Sequence, residues 1–325
     1  MTGRRLVALG LTAMGLACSG RTTGETVRVT IPPGAGLAAV AESVAARGLI
    51  EHKAWFRLLG RLRRLDRRVQ AGVYDLPRGA TSWRLLSIIA SGKVATVSLT
   101  VPEGLTLPEL AELVEARLGI PAESVLAAAG NPALLREHGI AAPAAEGFLL
   151  PETYFLPLPV TASGLIEAML EQFQRSWKPG WDRRLDSLGW TRTQALTLAS
   201  IVEGEARHDD ERPTIAGVYL NRLRRGMPLQ ADPTVQYAIL LTTGRRKPRL
   251  YFKDYAVRSP YNTYLYPGLP PGPVNSPGLR SIEAALYPAP TPYLYFVAGP
   301  DGRHVFSRTL TEHLAAIRRL RGSGG

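Results

Sequence analysis

The stretch LTLASIVEGEARHDDERPTIAGVYLNRLRRGMPLQADPTVQY, Leu196 to Tyr237, decides how the rest of the chain is read. It opens as an apolar helical segment starting near Thr193, and two carboxylates, Glu203 and Glu205, interrupt it. Buried carboxyls are costly unless they are paired or put to use. On a wheel of about 100° per residue, Leu198, Ile201 and Val202 share one stripe and Glu205 falls at its centre. Glu203 lies on the far side, near Leu196 and Ala199. Glu205 is therefore the carboxyl expected at the end of an apolar stripe. Desolvation there raises its pKa and lets it act as a general acid near neutral pH. Gly204 beside it reads as room for a bulky substrate. The plainer alternative is a salt-bridged helix end, since Arg207 and Arg212 are near enough to pair with both acids. From pattern alone the two readings stand level.

Downstream, a helix is expected over Pro213 to Leu223, with Pro213 in its first turn and Ile215, Val218, Tyr219 and Leu220 available for packing. A turn-rich run, Met227 to Thr234, brings Gln230, Asp232, Pro233 and Thr234 together, and Pro233 reads as a turn former. Tyr261-Asn262-Thr263-Tyr264 and the Pro/Gly-rich run Gly268 to Gly278 follow. Such a run is either a long surface loop or a rigid wall. The tyrosines and amides beside it are what a sugar-binding wall needs, because aromatic faces pack on pyranose C–H surfaces and amides match hydroxyl and N-acetyl groups. Pro292 to Val297 and His304 to Ser307 read as strands, and Thr311 to Leu320 as a closing helix.

Upstream, V-R-V-T-I-P-P-G from Val27 recurs as V-S-L-T-V-P-E-G from Val97, each followed by an amphipathic helical pattern. Each unit reads as strand, Pro-x-Gly turn and helix. A partial third copy starts at Tyr74. Gln70 to Leu76 reads as a strand, Glu123 to Ala142 as an Ala-rich helical region, and Ser163 to Trp177 as a helix. Glu146 to Phe155 reads as an ordered junction. The fold class expected is α+β, with a small N-terminal module of strand–turn–helix units.

A chain of 325 residues suggests two domains. The 45% apolar fraction fits a packed protein, and the net charge of +12 favours an anionic partner. Arg4 and Arg5 precede an apolar Leu6 to Ala17 and then Cys18, the only cysteine. That pattern reads as a signal or lipoprotein-like segment, or a short membrane anchor, with Cys18 the lipidation candidate. An exported location lowers nucleic acid as a partner, and the basic runs, Arg222 to Arg225 among them, read as solvated faces without interleaved aromatics. His208 reads as a surface residue. The five histidines lack metal-ligand spacing, and no G-x-S-x-G or phosphate-binding loop is present, so no metal and no cofactor is expected.

Taken together, A-S-I-V-E-G-E, E-R-P-T-I-A-G-V-Y-L-N-R-L, M-P-L-Q-A-D-P-T-V-Q-Y, Y-N-T-Y and G-L-P-P-G-P-V-N-S-P-G resemble the endolytic murein transglycosylases (MltG or YceG-like). E-G-F-L-L-P-E-T-Y-F and T-P-Y-L-Y-F-V-A fit as well, and the likeness runs from about Val27 to Leu320. The resemblance implies a LysM-like module over 26–96 packed on a lysozyme-like catalytic domain over 97–320, after an anchor or signal segment over 1–18. The implied enzyme is a lyase that cleaves MurNAc–GlcNAc bonds in nascent peptidoglycan, leaves 1,6-anhydroMurNAc ends and terminates strand elongation.

Glu205 matches the family's catalytic glutamate and Glu203 its supporting acid. Gln230, Asp232, Thr234, Tyr261, Asn262, Thr263 and Tyr264 match its substrate-binding cleft. The resemblance also implies peptidoglycan strands as substrate, a membrane surface reached through the N-terminal segment, and synthases or division proteins as partners in the cell envelope. Two other readings remain: a hydrolase using Glu205 with Asp232, and a non-catalytic wall-binding scaffold.

Overall fold

The computed structural model describes residues 24–322, so the segment 1–18 and Cys18 lie outside the described residues. The chain divides into two compact units, one ending at Val97 with Pro157–Pro159 added, the other comprising Ser98–Leu156 and Val160 onward.

In the first unit, β1 (Thr26–Ile31) pairs antiparallel with β2 (Gly72–Pro77), Thr26 opposite Pro77 and Ile31 opposite Gly72. Alternation turns Val29 and Ile31 inward from one strand and Tyr74 and Leu76 from the other. Helices α1 (Leu37–Ala45), α2 (Lys53–Leu62) and α3 (Ser82–Ala90) add Val40, Val44, Phe56, Leu85 and Ile89 to the same core. The buried Tyr74 hydroxyl donates to the carbonyls of Gln70 (2.8 Å) and Ile89 (3.2 Å). A Cβ on Gly60 would lie 2.7 Å from Leu37 Cδ2, so this glycine lets α2 approach α1.

The second unit is mainly helical. It holds β3 (Thr96–Thr100), which carries the chain out of the first unit, then α4 (Leu107–Leu118), α5 (Ala122–Ala129) and α6 (Pro132–Glu137). There follow β4 (Thr153–Pro157), α7 (Ala162–Ser176), α8 (Pro179–Leu188), α9 (Arg192–Glu205), α10 (Arg212–Arg224), α11 (Asp232–Thr243) and α12 (Leu279–Leu286). The strands β5 (Tyr295–Ala298) and β6 (His304–Ser307) pair antiparallel before α13 (Leu310–Gly322), and β3 pairs with β4. Among the described residues, three two-stranded sheets and the helices of the two units make the protein α+β.

α9 positions the site. Thr191 and Gln194 form a reciprocal capping box at its start, each side chain accepting from the other's backbone N–H. Every residue from Ala195 to Val202 is buried, because α10, α11 and α12 pack around the helix. The single apolar stripe expected there is thus an all-round buried surface.

Several other expectations change. The Ala-rich region is two helices, broken at Gly130, with Asn131 Oδ1 capping α6 from the Ala133 N–H. The second full strand–turn–helix copy is β3 and α4, so its helix belongs to the second unit. Pro233 is not a turn former: it sits in the first turn of α11, where its missing N–H costs nothing. The Pro/Gly-rich run is no surface loop from Gly272 to Gly278, where every residue is buried. Its Val274 N–H donates to Ser200 Oγ (3.0 Å) and its Asn275 Nδ2 to the Ser200 carbonyl (2.9 Å), both on α9.

Candidate active site

Glu205 is the last residue of α9, half-buried, and its Oε1 accepts a hydrogen bond from the Tyr219 hydroxyl of α10 at 2.8 Å. Burial raises the carboxyl to about 7, and the negative charge of Asp232 pushes the same way. The Tyr219 hydroxyl, the Asp232 backbone amide and the more distant Arg222 guanidinium oppose that rise. Near neutral pH the group is thus split between acid and carboxylate. Burial and the neighbouring Glu205 hold the Tyr219 phenol well above its ordinary value, so it stays a donor. Its ring meets Phe296 of β5 edge-on, with centroids 5.6 Å apart.

Asp232 opens α11 and takes two phenols: Tyr264 donates to Oδ1 at 2.7 Å and Tyr255 to Oδ2 at 3.4 Å. The two rings lie 4.5 Å apart. What brings α11 so near Glu205 is Gly204. A Cβ there would lie 2.5 Å from Pro233 Cγ and 2.7 Å from Pro233 Cβ. The direction a side chain at position 204 would take is therefore filled by α11, while Gly204 itself stays exposed beside Glu205.

The remaining predicted residues divide between presentation and scaffolding. Gln230 is exposed, in the left-handed region at φ 52°, and its N–H donates to the Thr263 carbonyl at 3.1 Å. Thr234, Asn262 and Thr263 are fully buried. The Thr234 and Thr263 hydroxyls lie 2.8 Å apart, and Thr263 Oγ1 accepts from the Ala231 N–H at 3.0 Å. Asn262 Nδ2 donates to the carbonyls of Tyr255 (2.9 Å) and Val257 (2.8 Å), while its Oδ1 accepts from the Tyr264 N–H (3.0 Å). These three side chains hold the loop that delivers Tyr255 and Tyr264 to Asp232. Tyr261 is half-buried against Tyr237, with ring centroids 4.8 Å apart.

Glu203 has different surroundings from Glu205. Its Oε1 pairs with Arg212 Nη1 at 3.0 Å, and its Oε2 accepts from the Gly278 N–H at 2.9 Å. Both side chains of the pair are under 10% exposed. Arg212 also meets Asp209 (3.0 Å), Glu103 (3.7 Å) and the Ser281 hydroxyl. The glutamate thus pins the end of the Pro/Gly-rich run where α12 begins. Arg212 takes Glu203, whereas the hydrogen-bond partner of Glu205 is neutral.

Three contributors to this region escape sequence reasoning. Tyr219 reads as a packing residue, and nothing local announces its partner fourteen residues away. Arg222 belongs to a basic run expected to be solvated, yet it is buried. It donates to the carbonyls of Leu294 (2.7 Å) and Leu229 (2.7 Å) and to Gln230 Oε1 (3.4 Å), tying the 227–230 loop to the approach of β5. Arg224 and Arg225 of the same run are exposed. Glu146 is a further carboxyl, and a buried one, accepting from the Leu107 N–H (3.0 Å) and the Tyr237 hydroxyl (3.2 Å). Burial raises it to about 7. Through Tyr237 it reaches the Tyr261 ring.

Residues 29–319 match the sequence profile of the YceG-like family. The endolytic murein transglycosylase of Bacillus subtilis (strain 168) is 33% identical over 305 residues, covering 89% of this chain and 83% of that protein. An endolytic murein transglycosylase of Streptococcus pneumoniae serotype 2 is 30% identical over 319 residues, covering 88% of this chain. Against that longer relative the chain spans 57% of the length. Among solved structures, a yceG-like protein from Listeria monocytogenes aligns with a TM-score of 0.62 at 32% identity, covering 90% of this chain and 99% of that one.

Proposed function

Because the chain belongs to the YceG-like family, we propose that it is an endolytic murein transglycosylase in which Glu205 is the single catalytic acid and base. The observation that carries the assignment is the Glu205 carboxyl itself. It is held at the end of a buried helix by Tyr219 and raised by burial to about 7, where one group can both give and take a proton.

Protonated Glu205 donates to the glycosidic oxygen as the C1–O bond breaks and positive charge develops at C1 of the MurNAc residue. The 6-hydroxyl of the same sugar then attacks C1, and the Glu205 carboxylate removes its proton. The products are a free hydroxyl on the departing GlcNAc and a 1,6-anhydroMurNAc end. The acid is regenerated, no water is consumed, and no second catalytic carboxylate is needed. Tyr219 fixes the direction of the carboxyl. Asp232, with Tyr255 and Tyr264, forms the facing wall, and its charge keeps Glu205 protonated to higher pH. Gln230 and Tyr261 complete the sugar contacts, while Glu203, Thr234, Asn262 and Thr263 support them from behind.

The same reading makes residues 26–96 a LysM-like module, supported by its strand and helix order. It places the enzyme at the cell envelope with 1–18 as its anchor or signal, supported by the apolar run Leu6 to Ala17. Digestion of purified peptidoglycan with mass spectrometry of the new ends tests the reaction. Anhydro ends that disappear in Glu205→Gln support it. Reducing ends would instead make the protein a hydrolase, with Asp232 as the second carboxylate.

A further inference from the structure

Helix α2 carries two apolar stripes where one would suffice. The inner stripe, Phe56 with Gly60 against Leu37, belongs to the core of the first unit. The outer stripe, Trp55, Leu58 and Leu62, follows an i, i+3, i+7 spacing and is 55%, 49% and 68% exposed. Trp83 of α3, 44% exposed, lies on the same unit, with the Arg63 guanidinium 4.9 Å over its ring. A surface helix ordinarily turns a polar face to water. Here the outward apolar stripe is bordered by cations: between Glu51 and Arg68 stand six arginines against two carboxylates, Glu51 and Asp66, while Lys53 is paired with Glu42 of α1. All of these charged residues are exposed.

We propose that this face of α2 is a docking surface for an anionic phospholipid bilayer. Trp55, Leu58 and Leu62 enter the boundary between headgroups and acyl chains, and the arginines engage lipid phosphates. A basic helix with Trp and Leu on one face lies in the plane of such an interface, and its binding adds buried apolar area to attraction for anionic lipid. Trp suits the headgroup level because one edge is apolar and the other can donate a hydrogen bond. The guanidinium fork matches phosphate oxygens in pairs. A glycan strand would use Trp55 but has little use for Leu58 and Leu62, and it would call for amides and carboxylates where this surface offers arginine. The inference stands on the first unit alone and is independent of the transglycosylase reading.

The test uses the full chain with vesicles of phosphatidylglycerol or phosphatidylcholine whose acyl chains are brominated near the headgroup, reading tryptophan quenching. The chain is expected to be quenched on phosphatidylglycerol and not on phosphatidylcholine, with Trp55→Phe removing the quenched component. Arg57→Glu/Arg61→Glu should weaken the quenched state by at least about fivefold per arginine lost, even if other segments keep the chain on the vesicle. Because these side chains are exposed, an unchanged melting temperature in each variant separates docking from misfolding. Equal quenching on both lipids, or quenching that survives Trp55→Phe, would overturn the proposal. So would Trp55 emission that responds to soluble glycan fragments but not to vesicles.

Discussion

The Tyr219 hydroxyl donates to Glu205 Oε1 at 2.8 Å, joining the middle of α10 to the last residue of α9. The direction of the carboxyl is therefore set by a neighbouring helix, not by its own helix end.

Tyr219→Phe tests that dependence. The phenol stabilises the carboxylate form of Glu205, so its removal raises the Glu205 pKa beyond about 7. The alkaline limb of the kcat profile should move to higher pH. The maximal rate should fall roughly tenfold or more, because a misdirected acid loses its near-attack geometry. Release of anhydro-muropeptides across pH measures both. A residue that mattered only for packing would lower the melting temperature and leave the limb in place.

Glu205→Gln should lower kcat by roughly 10²- to 10⁴-fold, the usual contribution of a positioned acid–base group. The same variant carries a signature in stability. A carboxyl raised from 4.5 to about 7 by burial is still protonated in the folded state between those values, when the unfolded chain has already released its proton. The folded state then binds more protons, so stability falls as pH rises from about 4.5 to about 7 and levels off above. Glutamine removes that slope. Thermal melts from pH 4.5 to 8 should show the variant gaining on the parent toward alkaline pH, with Glu146 leaving a residual slope of the same sign in both.

How much of this was legible beforehand depends on the range of the interactions. The helical wheel separates Glu203 from Glu205, and their different surroundings follow, since orientation along one helix is a local property. The strand–turn–helix repeat is local too, and β1, β2, β3 and the helices after them appear where it places them. Partnerships across the fold are not local. A basic run reads as solvated until Leu294 and Leu229 are seen to offer carbonyls to Arg222. Asn262 and Thr263 read as sugar contacts in a polar loop, yet both are spent satisfying buried backbone groups. Gly204 is exposed, as read, but nothing local announces that Pro233 fills the direction a side chain there would take.

Asp232→Asn distinguishes a wall residue from a second catalytic carboxylate. Its negative charge raises the Glu205 pKa. The neutral amide should therefore lower that pKa and move the alkaline limb of activity to lower pH. It also weakens the hydrogen bonds from Tyr264 and Tyr255, which now donate to a charged acceptor. The products should remain anhydro ends at a reduced rate. Complete loss of turnover together with reducing ends in the parent digest would assign Asp232 the hydrolytic role.

Gly204→Ala sets two effects of opposite sign against each other. In a helix, alanine is favoured over glycine by about 1 kcal/mol, and φ at this position is not in the left-handed region. The added methyl, however, would meet Pro233 Cγ at 2.5 Å and Cβ at 2.7 Å. Those atoms belong to a ring fixed to the backbone in the first turn of α11, so no side-chain rotation relieves the clash. Overpacking of this kind costs about 1–3 kcal/mol, and the whole start of α11 must move. Loss should win, lowering the melting temperature by a few degrees at about 2–4 °C per kcal/mol. As Asp232 recedes, the alkaline limb of kcat should shift in the same direction as in Asp232→Asn. Pro233→Ala in the same chain removes Cγ, the nearer atom, and keeps Cβ, now freed from the ring. If the contact is the cause, the double variant should recover part of the melting temperature and rate, beyond the sum of the single effects. Strict additivity would show that the ring carbon does not cause the loss.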